Sequence, residues 1–185
     1  MRRLAGMLLG VGVIFTACSS ATVSVPDYAA GVEERATAYG VESDDLEERQ
    51  LATLEDTVTR LQEELEGQAL IDAAISETAR ESTKLFSGIS DALDRYVKDL
   101  DAMTPPDAVA EDHAAYIRAL DSSRAGLASI LDDLPGATSF EQMDKVINGS
   151  GFADVQQRLE AACRALEAAI ESQGPDVDLR CEATR

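Results

Sequence analysis

The chain has a single histidine, His113, no tryptophan, and few aromatics of any kind. One histidine excludes multi-histidine zinc sites and makes any Ser-His-Asp arrangement depend on that residue alone. No Cys-x-x-Cys occurs, so a thioredoxin-like pair and c-type haem attachment are both out. No Glu-x-x-His pair occurs either, which removes the carboxylate-bridged di-iron bundle. The glycines are scattered and build no phosphate-cradling loop. Positive charge is scarce, with 16 Lys and Arg against 35 Asp and Glu, a formal −19. Such a surface repels nucleic-acid phosphates and anionic lipid head groups, so no nucleic-acid role is expected.

Long apolar runs are missing too, with one exception. Leu4 to Ala17 carries no charge and follows Met1-Arg2-Arg3. As a helix this run reaches only about 21 Å, short of the roughly 30 Å of a bilayer core. A basic start, a short apolar stretch and small residues before Cys18 describe a secretory signal peptide. The same residues admit a plain signal cleaved elsewhere or an N-terminal anchor helix. Phe15-Thr16-Ala17-Cys18 resembles a bacterial lipobox, whose cysteine becomes the first mature residue and is lipidated on sulfur. Ala17 and Thr16 fit at −1 and −2; Phe15 stands at −3, where leucine is usual.

The resemblance covers this segment alone. It implies a lipoprotein signal peptide at 1–17 and acyl chains such as palmitate on Cys18. It further implies attachment to a bacterial cell membrane at its extracytoplasmic face. Two or more chains would anchor the protein stably, where one holds only marginally. Residues 18–26 then read as a tether and 27–185 as one domain. Without Arg2 and Arg3, 14 basic residues face 35 acidic ones, a formal −21.

What the domain does have is helix formers. Ala, Leu, Glu and Arg dominate, and strand signals are nearly absent. Leu, Ile, Val and Phe supply 36 of residues 18–185, close to the roughly 20% below which a charged chain tends to disorder. Thin, alanine-seamed helices follow. The pattern predicts a helix from Tyr28 to Tyr39, capped by Asp27 and ended by Gly40. A second, capped by Ser43 or Asp44, carries Leu51, Leu54, Val58, Leu61 and Leu65 at coiled-coil steps up to a break at Gly67. A third runs from Gln68 to Met103, where Pro105-Pro106 stops it. A fourth runs from Asp107 to Leu134-Pro135-Gly136. Ser139-Phe140-Glu141-Gln142 is a capping box opening a short helix that ends at Asn148-Gly149. The last carries Phe152, Val155, Leu159, Cys163, Leu166 and Ile170 and stops at Gly174-Pro175.

The expected fold is all-α, an antiparallel bundle of three to four long helices with an extended C-terminal tail. Alanine seams are expected to leave little room between them. The helix–Pro-Pro–helix arrangement with a histidine shortly after resembles uncharacterised small bacterial lipoproteins, and that likeness implies no activity.

In the tail, Val177, Leu179 and Cys181 alternate with polar residues, which puts them on one side of an extended chain. Once Cys18 is lipidated, Cys163 and Cys181 remain, in a compartment that permits disulfides. The expectation is a bridge between them; the alternative is one buried and one free thiol. His113 reads as a packing or capping residue, since Glu111 and Asp112 do not share its helix face. A Met103–His113 haem site would have to span the Pro-Pro turn. The acidic groups Asp44-Asp45, Glu47-Glu48 and Glu63-Glu64-Glu66 lack the spacing of a calcium loop and read as solvated helix surface. No catalytic residue, metal site or cofactor is expected. The reading is a lipid-anchored envelope module that binds a basic protein partner through an outer face or the Pro105-Pro106 turn. The alternative is an envelope enzyme, or a metal or haem carrier, centred on His113 and nearby carboxylates. The oligomeric state stays open.

Overall fold

The computed structural model describes residues 23–149 and 151–182; the expected signal peptide at 1–17, Cys18 and the first part of the expected tether at 18–26 lie outside them. Helices α1 (Val25–Glu64), α2 (Gly67–Asp101), α3 (Ala110–Asp133), α4 (Phe140–Gly149) and α5 (Phe152–Glu171) follow in order, with no strand among the described residues. The fold is the expected all-α antiparallel bundle, built from the four long helices. α2 packs on both α1 and α3, and α3 packs on α5.

The starts and stops are local chemistry. Ser24 caps α1 by accepting from the Asp27 backbone N–H at 3.2 Å, so the helix opens before Asp27, which was expected to be its cap. Gly67 turns the chain with φ of +58°, a conformation open to glycine, and α2 begins there. Pro105 and Pro106 separate α2 from a short 3₁₀ turn that leads into α3. At α4 the Ser139 hydroxyl accepts from the Gln142 N–H at 3.1 Å, while Gln142 reaches back to the Thr138 N–H at 2.7 Å.

Gly40 does not end a helix. α1 runs straight through it as one 40-residue helix, and neither Ser43 nor Asp44 caps anything. The tail passes here: a Cβ at Gly40 would meet the guanidinium of Arg180, whose side chain crosses α1 at this point. The residue marks a close approach, and a sequence cannot distinguish that from a stop.

The main core joins Tyr28, Val32, Leu93, Leu100, Leu120, Leu127, Leu166 and Ile170, with alanines at 29, 36 and 92 filling the seams. A second cluster at the base of the α1–α2 hairpin gathers Ala79, Ile130, Leu134 and Met143, with Ile75 half-buried against it. There the buried Glu81 accepts from Gln50 across the hairpin and from Lys84, both at 2.7 Å, and Arg80 lies 3.0 Å away. The Lys84 contact, then that of Gln50, holds its carboxyl below the usual carboxylate range.

The tail behaves as its alternation predicts. Val177 and Leu179 are buried, Asp178 and Arg180 face solvent, and Cys181 is bonded to Cys163. The Leu179 N–H donates to Glu167 on α5 at 2.7 Å, and Arg180 pairs with Asp44 on α1 at 2.9 Å. The segment is a strap between α1 and α5, the two outer helices of the bundle.

Candidate functional site

All four tyrosines and the one histidine of the sequence converge inside the bundle. Tyr28 and Tyr39 come from α1, Tyr96 from α2, and His113 and Tyr116 from α3. The Tyr28 hydroxyl meets His113 Nδ1 at 2.7 Å, and a second bond engages the ring with the Leu100 backbone. The simplest assignment has the phenol donating to Nδ1 and the other ring nitrogen donating to the Leu100 carbonyl. Tyr39 stacks on Tyr96 with centroids 4.9 Å apart, and the Tyr96 and Tyr116 hydroxyls lie 3.1 Å apart. Burial pushes all four phenols up, Tyr116 to about 12, so each is neutral at physiological pH.

His113 is 5% exposed. With both ring nitrogens engaged inside the protein, it acts as a strut from α3 to α1. Burial lowers its pKa; Asp101 and the Leu100 contact oppose that. Asp101, at the end of α2, was not among the neighbours its local sequence suggested, and Glu111 is exposed. Met103 lies near Gly31 of α1, where an added Cβ would meet its methyl at 3.1 Å. Among the described residues no group of three or more His, Cys, Asp or Glu could hold a metal ion.

The strut has a pH signature. Between the lowered folded value and the ordinary 6.5, the unfolded chain binds more protons at this site than the folded one. Stability from His113 is therefore complete above pH 6.5 and lost as pH falls below it. His113→Gln should cost about 1–3 kcal/mol at pH 7, and it should flatten the stability profile below pH 6.5. Chemical denaturation across that range checks both; an unchanged slope in the variant would count against the strut.

Beside the tyrosines the helices part. A cleft of about 520 Å³ opens among α1, α2, α3, α5 and the strap, with Tyr39, Tyr96, Tyr116, Phe86, Phe152 and the buried Ser123 along its inner wall. The Cys163–Cys181 bridge and Leu179 form another side. The expectation of closely packed seams fails here for a physical reason. The side between α1 and α5 is spanned by single extended chain, which is thinner than a helix and leaves the space open. A second depression, between α2 and the 135–138 loop, carries Arg80 and Lys84, both already paired with Glu81.

The other conspicuous surface is the end of the α1–α2 hairpin. Residues 67–74 and the α1 turns opposite them extend roughly 12 Å beyond Ile75. Between Ala36 and Ala79, only Leu61 is fully buried. Leu54 and Leu65 are half-buried, whereas Leu51, Val58 and Ile71 are 67%, 38% and 49% exposed. The coiled-coil stripe is thus divided, part of it closing the hairpin and part facing out. Residues 41–67 surround it with ten acidic side chains and two basic ones. Compared with models of protein families, with curated proteins and with solved structures, the chain matches none.

Proposed function

We propose that this chain is a lipid-anchored protein of a bacterial cell envelope that acts by binding, without catalysis. Cys18 would hold it on the extracytoplasmic face of the membrane, and the acidic hairpin would meet a protein partner with a basic surface. The observation that carries this reading is the hairpin itself. Between Ala36 and Ala79 the two helices bury only Leu61, and they leave Leu51 and Val58 seven residues apart on one exposed face of α1. Apolar side chains ringed by one sign of charge suit a partner with apolar anchors and a basic rim. Charge complementarity there raises the association rate and makes it salt-dependent. The Pro105-Pro106 turn is the weaker candidate, because both prolines are half-buried.

Photo-crosslinkers placed at Leu51 and Val58, with Ser122 on α3 as a control, test this in the native envelope. Adducts should form from the hairpin positions and carry a protein with a basic face. The purified partner should lose about tenfold or more in affinity between low and high salt. Leu51→Ser with Val58→Ser should weaken it further, at unchanged helicity. Adducts from Ser122 alone, or affinity indifferent to salt, would overturn the assignment.

A further inference from the structure

The cleft between the helices is separate from the hairpin end, and its chemistry is different. Its inner wall is aromatic and aliphatic. Its volume, about 520 Å³, falls within the range of small-molecule sites. Its mouth carries four carboxylates, Asp44, Glu47, Glu160 and Glu182. Three of them have cations at hand: Arg180 lies 2.9 Å from Asp44, and Arg164 lies 2.6 Å from Glu160 and 4.0 Å from Glu182. Glu47 has no ion pair among the described residues, although it sits close enough to Tyr39 to raise the phenol's pKa.

Tyr39, Ser43 and Glu47 follow one another at four-residue steps, so they form a single ledge of α1 along the cleft. Ser43 Oγ is shielded from solvent and lies against the Tyr39 phenol, where its contact opposes the rise that burial gives the phenol's pKa. A hydroxyl that donates there keeps its lone pairs free to accept. An unpaired carboxylate, an accepting hydroxyl and an aromatic ring on one ledge match the needs of a protonated amine. The carboxylate and hydroxyl accept its N–H groups, and the ring face attracts its charge. An anion would meet the net negative mouth, where the guanidiniums of Arg180 and Arg164, among the described residues, are already held by Asp44, Glu160 and Glu182.

We propose that the cleft binds a small organic ammonium ion with an apolar or aromatic body. The cationic head rests on the Tyr39–Ser43–Glu47 ledge, and the body lies against Tyr96, Tyr116 and Phe86. The site needs no contact with the hairpin end, so it can hold or fail independently of the protein partner.

Because the chain has no tryptophan, the emission of its tyrosines reports directly on this region. Full-length lipidated protein in phosphatidylcholine vesicles would be titrated with 4-phenylbutylammonium, 4-phenylbutyrate and 4-phenylbutanol, with empty vesicles as the blank. The ammonium probe should change tyrosine emission saturably and bind about tenfold or more tighter than the carboxylate, as a charge-assisted hydrogen bond predicts. Glu47→Gln, a near-isosteric change at the mouth, should bring ammonium affinity down to about that of the alcohol. Ser123→Leu should fill the inner wall and weaken all three probes. Glu47→Gln keeps the test decisive should Ser123→Leu fail to fold. Carboxylate binding as tight as ammonium, no saturable response from wild type, or an unaffected Glu47→Gln variant would each overturn the proposal.

Discussion

Replacing Cys163 by serine should lower unfolding stability by about 3 kcal/mol, the loop-entropy value for a bridge closing some 18 residues. For a domain of this size that is a fall of roughly 6–12 °C in the melting midpoint. The bridge joins the buried face of α5 to a strap that has no regular backbone ladder of its own. The strap's other ties include N–H bonds from Leu179 to Glu167 at 2.7 Å and from Asp178 to Glu33 on α1 at 3.4 Å, and the surface ion pair between Arg180 and Asp44. An exposed pair of this kind contributes about 0–1 kcal/mol. Val177 and Leu179 are the strap's two buried core residues, and the strap should fray once the covalent tie is gone. Hydrogen exchange should find residues 177–181 unprotected in Cys163→Ser, while the amides of α2 and α3 keep their protection. Adding reductant to the wild type should reproduce both effects. An unchanged midpoint with an unchanged exchange pattern would mean that the strap holds itself.

What the sequence made legible was its punctuation. Gly67, Pro105-Pro106, Leu134-Pro135-Gly136, the Ser139 box and Gly174 each sit at a boundary, because each acts on the backbone within a turn of itself. The strap could be read because alternation in an extended chain needs no partner to define its two faces. Gly40 could not be read, since its neighbour there is Arg180, 140 residues away. The tyrosine cluster was hidden for the same reason. Tyr28 and His113 stand 85 residues apart, and nothing local tells a histidine that its partner is a phenol on another helix. The cleft was the hardest to foresee. It exists because α1 and α5 are bridged by chain and not by each other, a property of the whole bundle that no single helix encodes. The stripe on α1 was visible at coiled-coil spacing, but its division between hairpin seam and open surface depends on how α2 packs back from Gly67.

Changing Cys18 to alanine should move the protein entirely off the detergent phase, or trap it as a longer precursor that keeps Arg2 and Arg3. The expectation for the processed protein is all-or-none because the described residues offer no other hold on a bilayer. No helix among the described residues is long and apolar enough to cross a membrane, and the chain's formal −19 repels anionic head groups. Acyl chains on one cysteine would therefore supply the whole attachment. The site of attachment also fixes geometry. It precedes the first residues of α1, whereas the exposed Leu51 and Val58 lie toward the other end of that 40-residue helix, which is about 60 Å long. An anchor at one end and a binding surface at the other would let the hairpin reach away from the membrane toward its partner. Phase partitioning with intact-mass analysis of wild type and Cys18→Ala reads the result directly. A wild-type protein found in the aqueous phase, with its N-terminus at some other residue, would remove the anchor and this geometry with it.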